Sequence, residues 1–520
     1  MPKNKFLFVY PKVPETYWSF KHTLSLINKK ALMLPLGLAT VAGLVDKAYS
    51  VTGVDVNVTP LKDSHIEEAD LVLVSAMLIQ KQSFLEIVHR CKEKGKPVAV
   101  GGPYPTESLE ELQSLPSSYR PDYFILNEGE VTFPQFLKDW EQGKPREIYQ
   151  SSEKPSLDRC PLPRFDLFNL PAYNVLPLQF SRGCPFDCEF CDIVHLFGRV
   201  PRTKPPEQFL TELNTALQLG FRGNVFVVDD NFIGNRTKVK ELLRAIIQWQ
   251  KEHKYPVGFS TEASVDLAKD EELLELMVQA RFTMVFIGLE TPILSSLQEA
   301  GKVQNLKNSV IESVRKIQLR GIEVTGGFIL GFDSDPEDIA QHQIHFIEEL
   351  AIPTAMVGLL TALPGTKLYH RLVQEGRIIS NASGNNTHTF AVNFKPKLSV
   401  SLLLENYRKV ISSIYHPKAY FNRCIEFLNR LPKIKASSSS ILQEKRVNWG
   451  NLKVLFRSLL RQALSWYGLR YLYYLFRALK AHPDKIVPII SFAVQGHHLL
   501  QISRKLLRSP TPSGGIYRTG

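Results

Sequence analysis

Three of the six cysteines crowd into eight consecutive positions, as Cys184, Cys188 and Cys191. Thiolates at this Cys-x3-Cys-x2-Cys spacing can hold three irons of a [4Fe–4S] cube from one short loop, which leaves the fourth iron without a protein ligand. That iron is then able to bind a substrate or a cofactor. A structural zinc site completed by His195 is the alternative, but a closed zinc site leaves no coordination position for chemistry. The spacing therefore favours an iron–sulfur cluster over zinc.

The remaining cysteines indicate a reducing compartment. Six cysteines in 520 residues are too few for a disulfide scaffold. Cys91, Cys160 and Cys424 lie outside the motif, and we expect them to be ordinary thiols. The amino-terminal residues do not form a secretory signal, and no apolar run reaches the roughly eighteen residues of a membrane-spanning helix. We therefore expect a cytoplasmic protein.

The cysteine loop follows a predicted strand, the first of six strand–helix units between residues 176 and 375. Six such units are typical of a partial (β/α)6 barrel, in which chemistry takes place at the carboxyl ends of the strands. The predicted strands are Leu176–Ser181, Val225–Val228, Val257–Thr261, Met284–Leu289, Val324–Leu330 and Ala355–Leu360.

Acidic residues follow three of these strands. Asp229 and Asp230 come after the second strand, Glu262 after the third and Glu290 after the fourth. Adjacent carboxylates at a strand end can bind an ammonium group through charge-assisted hydrogen bonds. The alternative for either aspartate is that it caps the following helix or turn.

A second α/β region precedes the barrel. Residues 1–145 alternate short apolar runs with helical stretches, which predicts a doubly wound, Rossmann-like domain with its ligand at the carboxyl ends of the strands. Gly101-Gly102-Pro103 and Asn127–Glu130 fall at two such ends. Residues 146–175 are rich in proline and are expected to form a linker on the surface. The predicted fold class is therefore α/β, with helices from residue 376 onward.

The cysteine motif resembles that of the radical S-adenosylmethionine (SAM) superfamily, since Phe190 occupies the aromatic position of Cys-x3-Cys-x-aromatic-Cys. The resemblance covers about residues 175–375. It implies that the free iron chelates SAM and that one electron, from a donor such as flavodoxin or ferredoxin, cleaves SAM to methionine and a 5′-deoxyadenosyl radical. That radical abstracts a hydrogen atom from the substrate.

The same resemblance assigns roles to the residues around the barrel mouth. Phe190 lies near the adenine of SAM, and Asp229 and Asp230 bind its amino group. Glu262 and Glu290 reach the ribose hydroxyls. Gly326-Gly-Phe-Ile-Leu-Gly331 resembles the glycine-rich fifth strand of the family, where missing side chains let the adenine approach the backbone.

The arrangement of domains resembles a cobalamin-binding subgroup that carries an additional carboxyl-terminal domain and is akin to the hopanoid methylases. The segments Leu34–Leu38, Phe197–Arg202, Asp229–Asn235 and Gly301–Gln304 carry this resemblance. It implies cobalamin-dependent methylation of an unactivated carbon on a lipid-like or other small molecule. The usual Asp-x-His-x-x-Gly motif is missing, and His65 is expected to be a solvated loop residue. Cobalamin without a protein ligand to cobalt is compatible with the subgroup.

Three other functions have to be compared with cobalamin-dependent methylation. A methylthiotransferase needs a second three-cysteine cluster before the barrel, where only Cys91 and Cys160 lie. A radical SAM cyclase or rearrangement enzyme, with or without cobalamin, stays open as an alternative. A metal-bearing, membrane-docking scaffold is the alternative that is not an enzyme, and it predicts no cleavage of SAM.

The basic charge is concentrated near the carboxyl terminus. A helical domain is predicted for residues 376–435, followed by a short serine-rich link, Ala436–Ser440, and a helical tail at 441–508. The tail carries twelve Lys or Arg and two acidic residues. Lys453, Arg457 and Arg461 are four residues apart and form one row on a helix, with a bend expected near Gly468.

Two environments suit such a tail. Basic and aromatic residues together predict contact with an anionic membrane, and hence a peripheral location on the membrane's inner face. The alternative is a helix that packs on the barrel with its arginines in water. No nucleic-acid partner is expected, because no recognition motif accompanies the charge.

Overall fold

The computed structural model describes residues 5–387, 389–432 and 449–509, so the predicted link Ala436–Ser440 lies outside the described residues. The chain divides into two compact units. The first unit comprises the residues up to Glu15, Lys30–Cys184 and Asp192–Gly223, and the second comprises Thr16–Lys29, Pro185–Cys191 and the residues from Asn224 onward.

The strands of the described residues follow each other along the chain. They are β1 Lys5–Tyr10, β2 Ala31–Met33, β3 Ser50–Asp55, β4 Leu71–Ser75, β5 Val98–Gly101, β6 Tyr123–Ile125, β7 Ile148–Tyr149, β8 Tyr173–Leu178, β9 Ser181–Arg182, β10 Arg202–Thr203, β11 Asn224–Val227, β12 Phe259–Glu262, β13 Phe282–Glu290, β14 Glu323–Leu330 and β15 Ala355–Leu359.

The α-helices of the same residues are α1 Lys21–Leu24, α2 Leu36–Ala42, α3 Asp63–Glu68, α4 Lys81–Glu93, α5 Pro103–Glu107, α6 Leu109–Gln113, α7 Gly129–Glu141, α8 Ile193–Phe197, α9 Pro206–Gln218, α10 Arg236–Glu252, α11 Glu271–Gln279, α12 Leu294–Glu299, α13 Val303–Leu306, α14 Val310–Leu319, α15 Ile339–Glu349, α16 Lys367–Gln374, α17 Val400–Ile414, α18 Pro417–Arg430, α19 Trp449–Gln462, α20 Gly468–Ala481 and α21 Ile486–Arg508.

The first unit is built on a six-stranded parallel sheet in the order β3-β1-β4-β5-β6-β7. Its strands β1, β4 and β5 are largely apolar, buried runs, as expected for parallel strands that are covered on both faces. Apart from the edge strand β7, the order is that of a flavodoxin-like doubly wound sheet, whose ligands bind at the carboxyl ends of the strands. The doubly wound prediction is therefore confirmed.

The proline-rich connector does not lie along the surface as predicted. It forms three short 3-10 turns, Leu157–Arg159, Phe165–Leu167 and Leu170–Ala172. Leu157, Phe165 and Leu170 are buried in these turns. The prolines indicate a linker but not its burial, and burying the apolar side chains between them packs the connector against the rest of the first unit.

The second unit contains the parallel strands β11 to β15, which are paired in the order of the sequence. Helices alternate with them along the chain, so the predicted α/β class and the strand–helix repeat of a partial barrel are confirmed. Glu262 and Glu290 are the last residues of β12 and β13 rather than the residues that follow them. Both therefore lie at the carboxyl edge of this sheet.

The last helix, α21, contacts a segment from the start of the chain. Tyr17 and Ser503 share a hydrogen bond of 2.7 Å, and His498 Nε2 lies 2.9 Å from the carbonyl oxygen of Thr16. The predicted domain boundaries assign this segment to residues 1–145, whereas its contacts are with α21. Nothing in the local sequence pattern reports a contact over such a separation.

One stretch among the described residues, Pro483–Arg508, has the length and composition of a membrane-crossing helix, although no such run was predicted. Of its most apolar window, 72% is buried inside the protein. The Tyr420 hydroxyl donates to the carbonyl oxygen of Phe492 over 2.7 Å, which fixes α21 against α18. These contacts are those of a core helix.

Packing of the connector can be tested at Gly53, where an added Cβ would lie 2.9 Å from the Cβ of Leu167. We expect Gly53→Ala to lower the free energy of unfolding by about 1–3 kcal/mol. The backbones at Gly53 and Leu167 cannot move apart to make room for the methyl group without opening the core. Calorimetry should show a lower melting temperature for the first unit. Gly37→Ala is the matched control, since no atom lies within 4 Å of its added Cβ. Equal melting of both variants would contradict this packing.

Candidate active site

The loop that carries the second and third cysteines is held by backbone hydrogen bonds on both sides. The amide of Glu189 donates to the carbonyl oxygen of Ala300 over 2.9 Å, and the carbonyl oxygen of Glu189 accepts from the amide of Leu368 over 2.9 Å. Cys188 is buried, and the side-chain amide nitrogen of Gln304 donates to its sulfur over 3.8 Å. Cys191 is half-buried. The loop is therefore a fixed part of the second unit.

Ion pairs fix the same loop from the side of α16. Arg371 binds both carboxylate oxygens of Glu189, at 2.6 and 3.0 Å, and also lies 3.2 Å from Asp333. Arg377 binds Asp333 at 2.7 Å, and Lys367 pairs with Asp187. Although burial favours the neutral acid, the two arginines hold the pKa of Asp333 below its usual range. A bidentate pair orients as well as attracts, so the loop keeps one conformation.

A comparable network precedes Cys184 in the first unit. Arg182 lies 2.8 Å from Glu128 and 2.6 Å from Glu130, and Arg202 lies 2.8 Å from Glu128. Glu128 is buried. Burial opposes ionisation of Glu130, but the charge of Arg182 lowers its pKa to about 2. The segment Asn127–Glu130 was predicted from its place at a strand end to face a ligand, and two of its residues instead anchor the strand that leads to Cys184.

The zinc alternative would use His195 as a fourth ligand beside the three cysteines. Among the described residues, no three His, Cys, Asp or Glu side chains converge on one ion. A zinc ion requires such convergence, whereas the thiolates of an iron–sulfur cube bind three different irons. His195 lies with its Nε2 3.5 Å from Glu107.

Three carboxylates lie at the ends of the neighbouring strands β11 and β12. Val227 pairs with Thr261, so Asp229 and Asp230 follow β11 beside the point where β12 ends at Glu262. Burial and then the negative charges of Asp230 and Asp229 raise the pKa of Glu262 to about 7. A bound cation would relieve this repulsion, so the group suits an ammonium ligand. The cap of α10 is Asn235, which accepts from the amide of Lys238, so neither aspartate serves there.

Glu290 has a protein partner that its predicted role did not include. Its carboxylate lies 2.6 Å from the ammonium group of Lys302, and both side chains are buried almost completely. Its backbone is in the left-handed region, with φ of 61°, and its carbonyl oxygen accepts from Gln343. An added Cβ at Gly288 would collide with the carboxylate of Glu290 and the ammonium group of Lys302. The two side chains can therefore occupy these positions only beside a glycine. The carboxylate is thus oriented by Lys302.

Lys302 connects Glu290 with the cysteine loop. Its ammonium group lies 5.9 Å from the centre of the Phe190 ring. Burial alone would lower the pKa of Lys302, but Glu290, Cys188 and Cys191 raise it. Lys302 therefore places a positive charge beside the cysteine loop. Lys302 was not predicted as a site residue, although the segment Gly301–Gln304 contributed to the subgroup resemblance.

Phe190 and Gly331 lie in a packed environment. The rings of Phe190 and Phe332 are 6.1 Å apart. Gly331 has φ of 111°, and its amide donates over 2.8 Å to Asp335, whose other carboxylate oxygen accepts from Ser296. The backbone conformation therefore requires a glycine at 331. Adenine binding by Phe190 and Gly331 stays a prediction, as do the SAM contacts of Asp229, Asp230, Glu262 and Glu290.

The carboxyl edge of the first sheet has features of a binding site. Gly102 has φ of 92°, and an added Cβ would lie 2.7 Å from the Ser75 hydroxyl. Asn127 also has a positive φ, and its side-chain oxygen is buried without a hydrogen-bond partner. An orphaned buried acceptor is costly unless a ligand or water donates to it. His65 lies in α3 rather than in the predicted loop, is half-buried and accepts from the amide of Lys62.

Comparison with protein families gives two matches. Residues 178–344 match the model of the radical SAM superfamily, and residues 366–511 match a domain of unknown function (DUF4070). The first match begins at the end of β8 and includes the three cysteines. The second covers the helical region from α16 to α21.

Two relatives are similar over nearly the whole chain. An uncharacterized methyltransferase of Synechocystis sp. is 40% identical over 505 residues, which cover 96% of this chain and 92% of the relative. The hopanoid C-2 methylase of Rhodopseudomonas palustris is 30% identical over 512 residues, or 97% of this chain and 94% of that protein. The similarity therefore extends beyond the superfamily match into the first sheet and the last helices.

A solved structure shares the fold. The radical SAM methyltransferase TsrM from Kitasatospora setae, with cobalamin and a [4Fe–4S] cluster bound, aligns with a TM-score of 0.56. The alignment covers 74% of this chain and 80% of TsrM at 15% identity. This likeness concerns the arrangement of the elements.

Each of the three motif cysteines should be essential for the cluster. Replacing Cys184, Cys188 or Cys191 by Ala removes one of three iron ligands and should abolish both the brown chromophore and the formation of 5′-deoxyadenosine. Optical spectroscopy after anaerobic reconstitution and chromatography of the nucleoside measure the two effects. Cys91→Ala and Cys424→Ala are matched controls that should retain both. A motif variant that still cleaves SAM would contradict the assignment.

The carboxylates of β11 and β12 should make SAM binding depend on pH. Because Glu262 is protonated below a pKa of about 7, affinity should rise with pH up to that value, by at most roughly tenfold per pH unit. Glu262→Gln should flatten this profile and weaken binding by about ten- to a hundredfold. Calorimetric titration of the reconstituted protein measures both effects. Glu241→Gln, at an exposed glutamate of α10, should change neither; an unaltered profile in Glu262→Gln would assign Glu262 a structural role.

Proposed function

This chain belongs to the radical SAM superfamily and, within it, to the methyltransferases, and we propose that it is a cobalamin-dependent C-methyltransferase of a polycyclic isoprenoid lipid. The observation that carries the proposal is its 30% identity to a hopanoid C-2 methylase over 97% of the chain. A similarity confined to residues 178–344 would support SAM chemistry alone. Similarity through the first unit and the last helices supports a shared reaction type and substrate class.

The cysteine motif and the acidic residues of the second unit fit the cluster and SAM. Cys184, Cys188 and Cys191 would hold three irons, and the acids after β11 and at the end of β12 suit the ammonium group of SAM. When bound, the cluster and SAM supply a radical that removes hydrogen from an unactivated carbon. Lys302 orients the carboxylate of Glu290 through their 2.6 Å contact. The ion pairs of Arg182 with Glu130 and of Arg371 with Glu189 hold the segments that carry the cysteines in place.

The first unit suits a cofactor at the carboxyl edge of its sheet. Its strand order is the flavodoxin-like one, Gly102 allows close approach to the backbone, and Asn127 presents a buried acceptor. Cobalamin carries several amide groups that donate hydrogen bonds, so the donor set matches. When bound, it supplies the methyl group. The missing Asp-x-His-x-x-Gly motif supports a mode of binding without a protein ligand to cobalt.

The alternative enzyme class differs in its products. Methyl transfer consumes one SAM for the radical and another as the methyl donor, so that 5′-deoxyadenosine and S-adenosylhomocysteine both form. A cyclase or rearrangement enzyme has no use for a methyl donor and produces no S-adenosylhomocysteine. A scaffold produces neither compound. The two products therefore separate the three functions.

The test is turnover by the protein reconstituted anaerobically with iron, sulfide and cobalamin, with an electron donor such as reduced flavodoxin or ferredoxin. SAM labelled with a trideuterated methyl group and a polycyclic isoprenoid in detergent micelles are the substrates. We expect a labelled lipid product together with both nucleosides, measured by mass spectrometry. Cys188→Ala is the control without a cluster. 5′-Deoxyadenosine without S-adenosylhomocysteine or a labelled lipid would contradict the proposal.

A further inference from the structure

Two helices near the carboxyl terminus present large apolar side chains to the outside. We call residues 449–481, which comprise α19, α20 and their connection, the helical hairpin. Leu464 is 92% exposed, Leu469 86%, Trp449 79% and Phe476 65%, while Phe456 and Leu460 are each 62% exposed. Single exposed apolar residues are ordinary on protein surfaces, but a contiguous apolar surface marks a site of interaction.

Along α19 and the residues just after it, several of these side chains lie beside a row of basic residues. Phe456, Leu460 and Leu464 are four positions apart, and Lys453, Arg457 and Arg461 form the neighbouring row. Each of the three basic residues is exposed, which confirms the predicted row. The chain leaves the helix between Gln462 and Gly468, which confirms the predicted bend.

The inner face of α19 combines apolar and polar side chains, since Val454 and Leu455 pack against the core cluster of Leu26, Ile490 and Val494. Ser458 and Gln462 are completely buried. Gln462 donates to the Ser458 hydroxyl over 2.7 Å and to the carbonyl oxygen of Ala493 over 3.0 Å, and Ser458 shares a hydrogen bond with Tyr471. The inward side of α19 is thus fully packed and hydrogen-bonded, while Trp449, Phe456 and Leu460 stay exposed. These exposed apolar side chains are stabilised if the outer environment is itself apolar.

The helical hairpin packs against α18 and α21. The Tyr474 hydroxyl donates over 3.1 Å to the carbonyl oxygen of Ile489 in α21, and the rings of Tyr474 and Phe421 stack at 4.8 Å. Arg504 of α21 lies over the ring of Trp466. The exposed side chains are therefore displayed by a packed layer of helices.

The charge of the hairpin selects among possible occupants of its outer face. Between residues 449 and 481 the sequence has six Lys or Arg and no Asp or Glu. A second copy of the chain would bring the same positive charges to an isologous contact, where they repel. An anionic lipid surface instead neutralises them, while leucine and aromatic side chains enter its acyl boundary.

We propose that the helical hairpin lies in the interfacial region of an anionic membrane, with its apolar side chains inserted and its basic residues at the lipid headgroups. Trp449, Trp466 and Tyr473 have the amphipathic rings that settle at such an interface. The inference goes beyond the proposed function because it holds for any substrate. It also gives a methyltransferase of lipids direct access to the membrane in which they dissolve.

Flotation of the full chain with vesicles tests the docking. The protein should float with vesicles of phosphatidylcholine and phosphatidylglycerol and much less with phosphatidylcholine alone. Phe456→Ser/Leu460→Ser/Leu464→Ser should lower partitioning at least about tenfold. Lys453→Gln/Arg461→Gln/Arg470→Gln should lower it roughly a hundredfold at low salt, at about fivefold for each charge. Arg457 is kept, because it donates to the carbonyl oxygen of Leu26.

A matched control shows whether membrane binding depends on the outer face of the helical hairpin or on exposed apolar side chains in general. Leu294→Ser/Leu319→Ser/Val373→Ser removes three exposed apolar side chains elsewhere in the second unit and should float like the unaltered protein. Equal melting temperatures establish that all variants are folded. Equal flotation of the apolar variant and the control would overturn the proposal. So would an unaltered protein that ignores both kinds of vesicle, or that instead dimerises through this face in light scattering.

The outcome is independent of catalysis. Activity with a substrate in detergent micelles should be the same in the hairpin variants as in the unaltered protein, since none of these residues contacts the candidate active site. Loss of vesicle binding with full micellar activity supports docking. Vesicle binding without any methyl transfer would refute the proposed function and leave the docking proposal standing.

Discussion

The structure depends on buried and half-buried ion pairs that fix the cysteine segment. Arg182 is held by Glu128 and Glu130 on the strand before Cys184, and Glu189 within the loop is held by Arg371. Removing one partner of such a pair leaves an uncompensated charge, which is far costlier than the pair is stabilising. The pairs therefore contribute geometry more than stability. A cluster with an open iron needs that geometry, because three thiolates must keep the spacing of a cube.

Opposite charges are separated around this loop in a way that suits its chemistry. Lys302 brings a buried cation to the cysteine loop, with its ammonium group 5.9 Å from the centre of the Phe190 ring. Burial and then repulsion by Asp230 and Asp229 raise the pKa of Glu262 to about 7. That repulsion is released by a cationic ligand. The protein thus holds electrostatic free energy at the place where the ammonium group of SAM is proposed to bind.

Local sequence patterns predicted the cysteine site, the strand–helix repeats and the acids at strand ends, because each depends on spacing along a few residues. The pairing of Glu290 with Lys302 joins two elements, and it was not predicted from the carboxylate alone. The contact of Tyr17 with Ser503 is also beyond any periodicity. In the helical hairpin the spacing predicted a basic row correctly. It did not reveal that the apolar row beside it faces outward, since periodicity defines faces without saying which one is buried.

The central claim is that Cys184, Cys188 and Cys191 hold a cluster with one iron open to SAM. Electron paramagnetic resonance of the reduced, reconstituted protein, recorded with and without SAM, tests it most directly. We predict the spectrum of a [4Fe–4S]⁺ cluster whose signal changes when SAM is added, because the ligand field of the open iron changes. A [4Fe–4S]⁺ signal that is identical with saturating SAM, or a protein that binds zinc in place of a cluster, would contradict it.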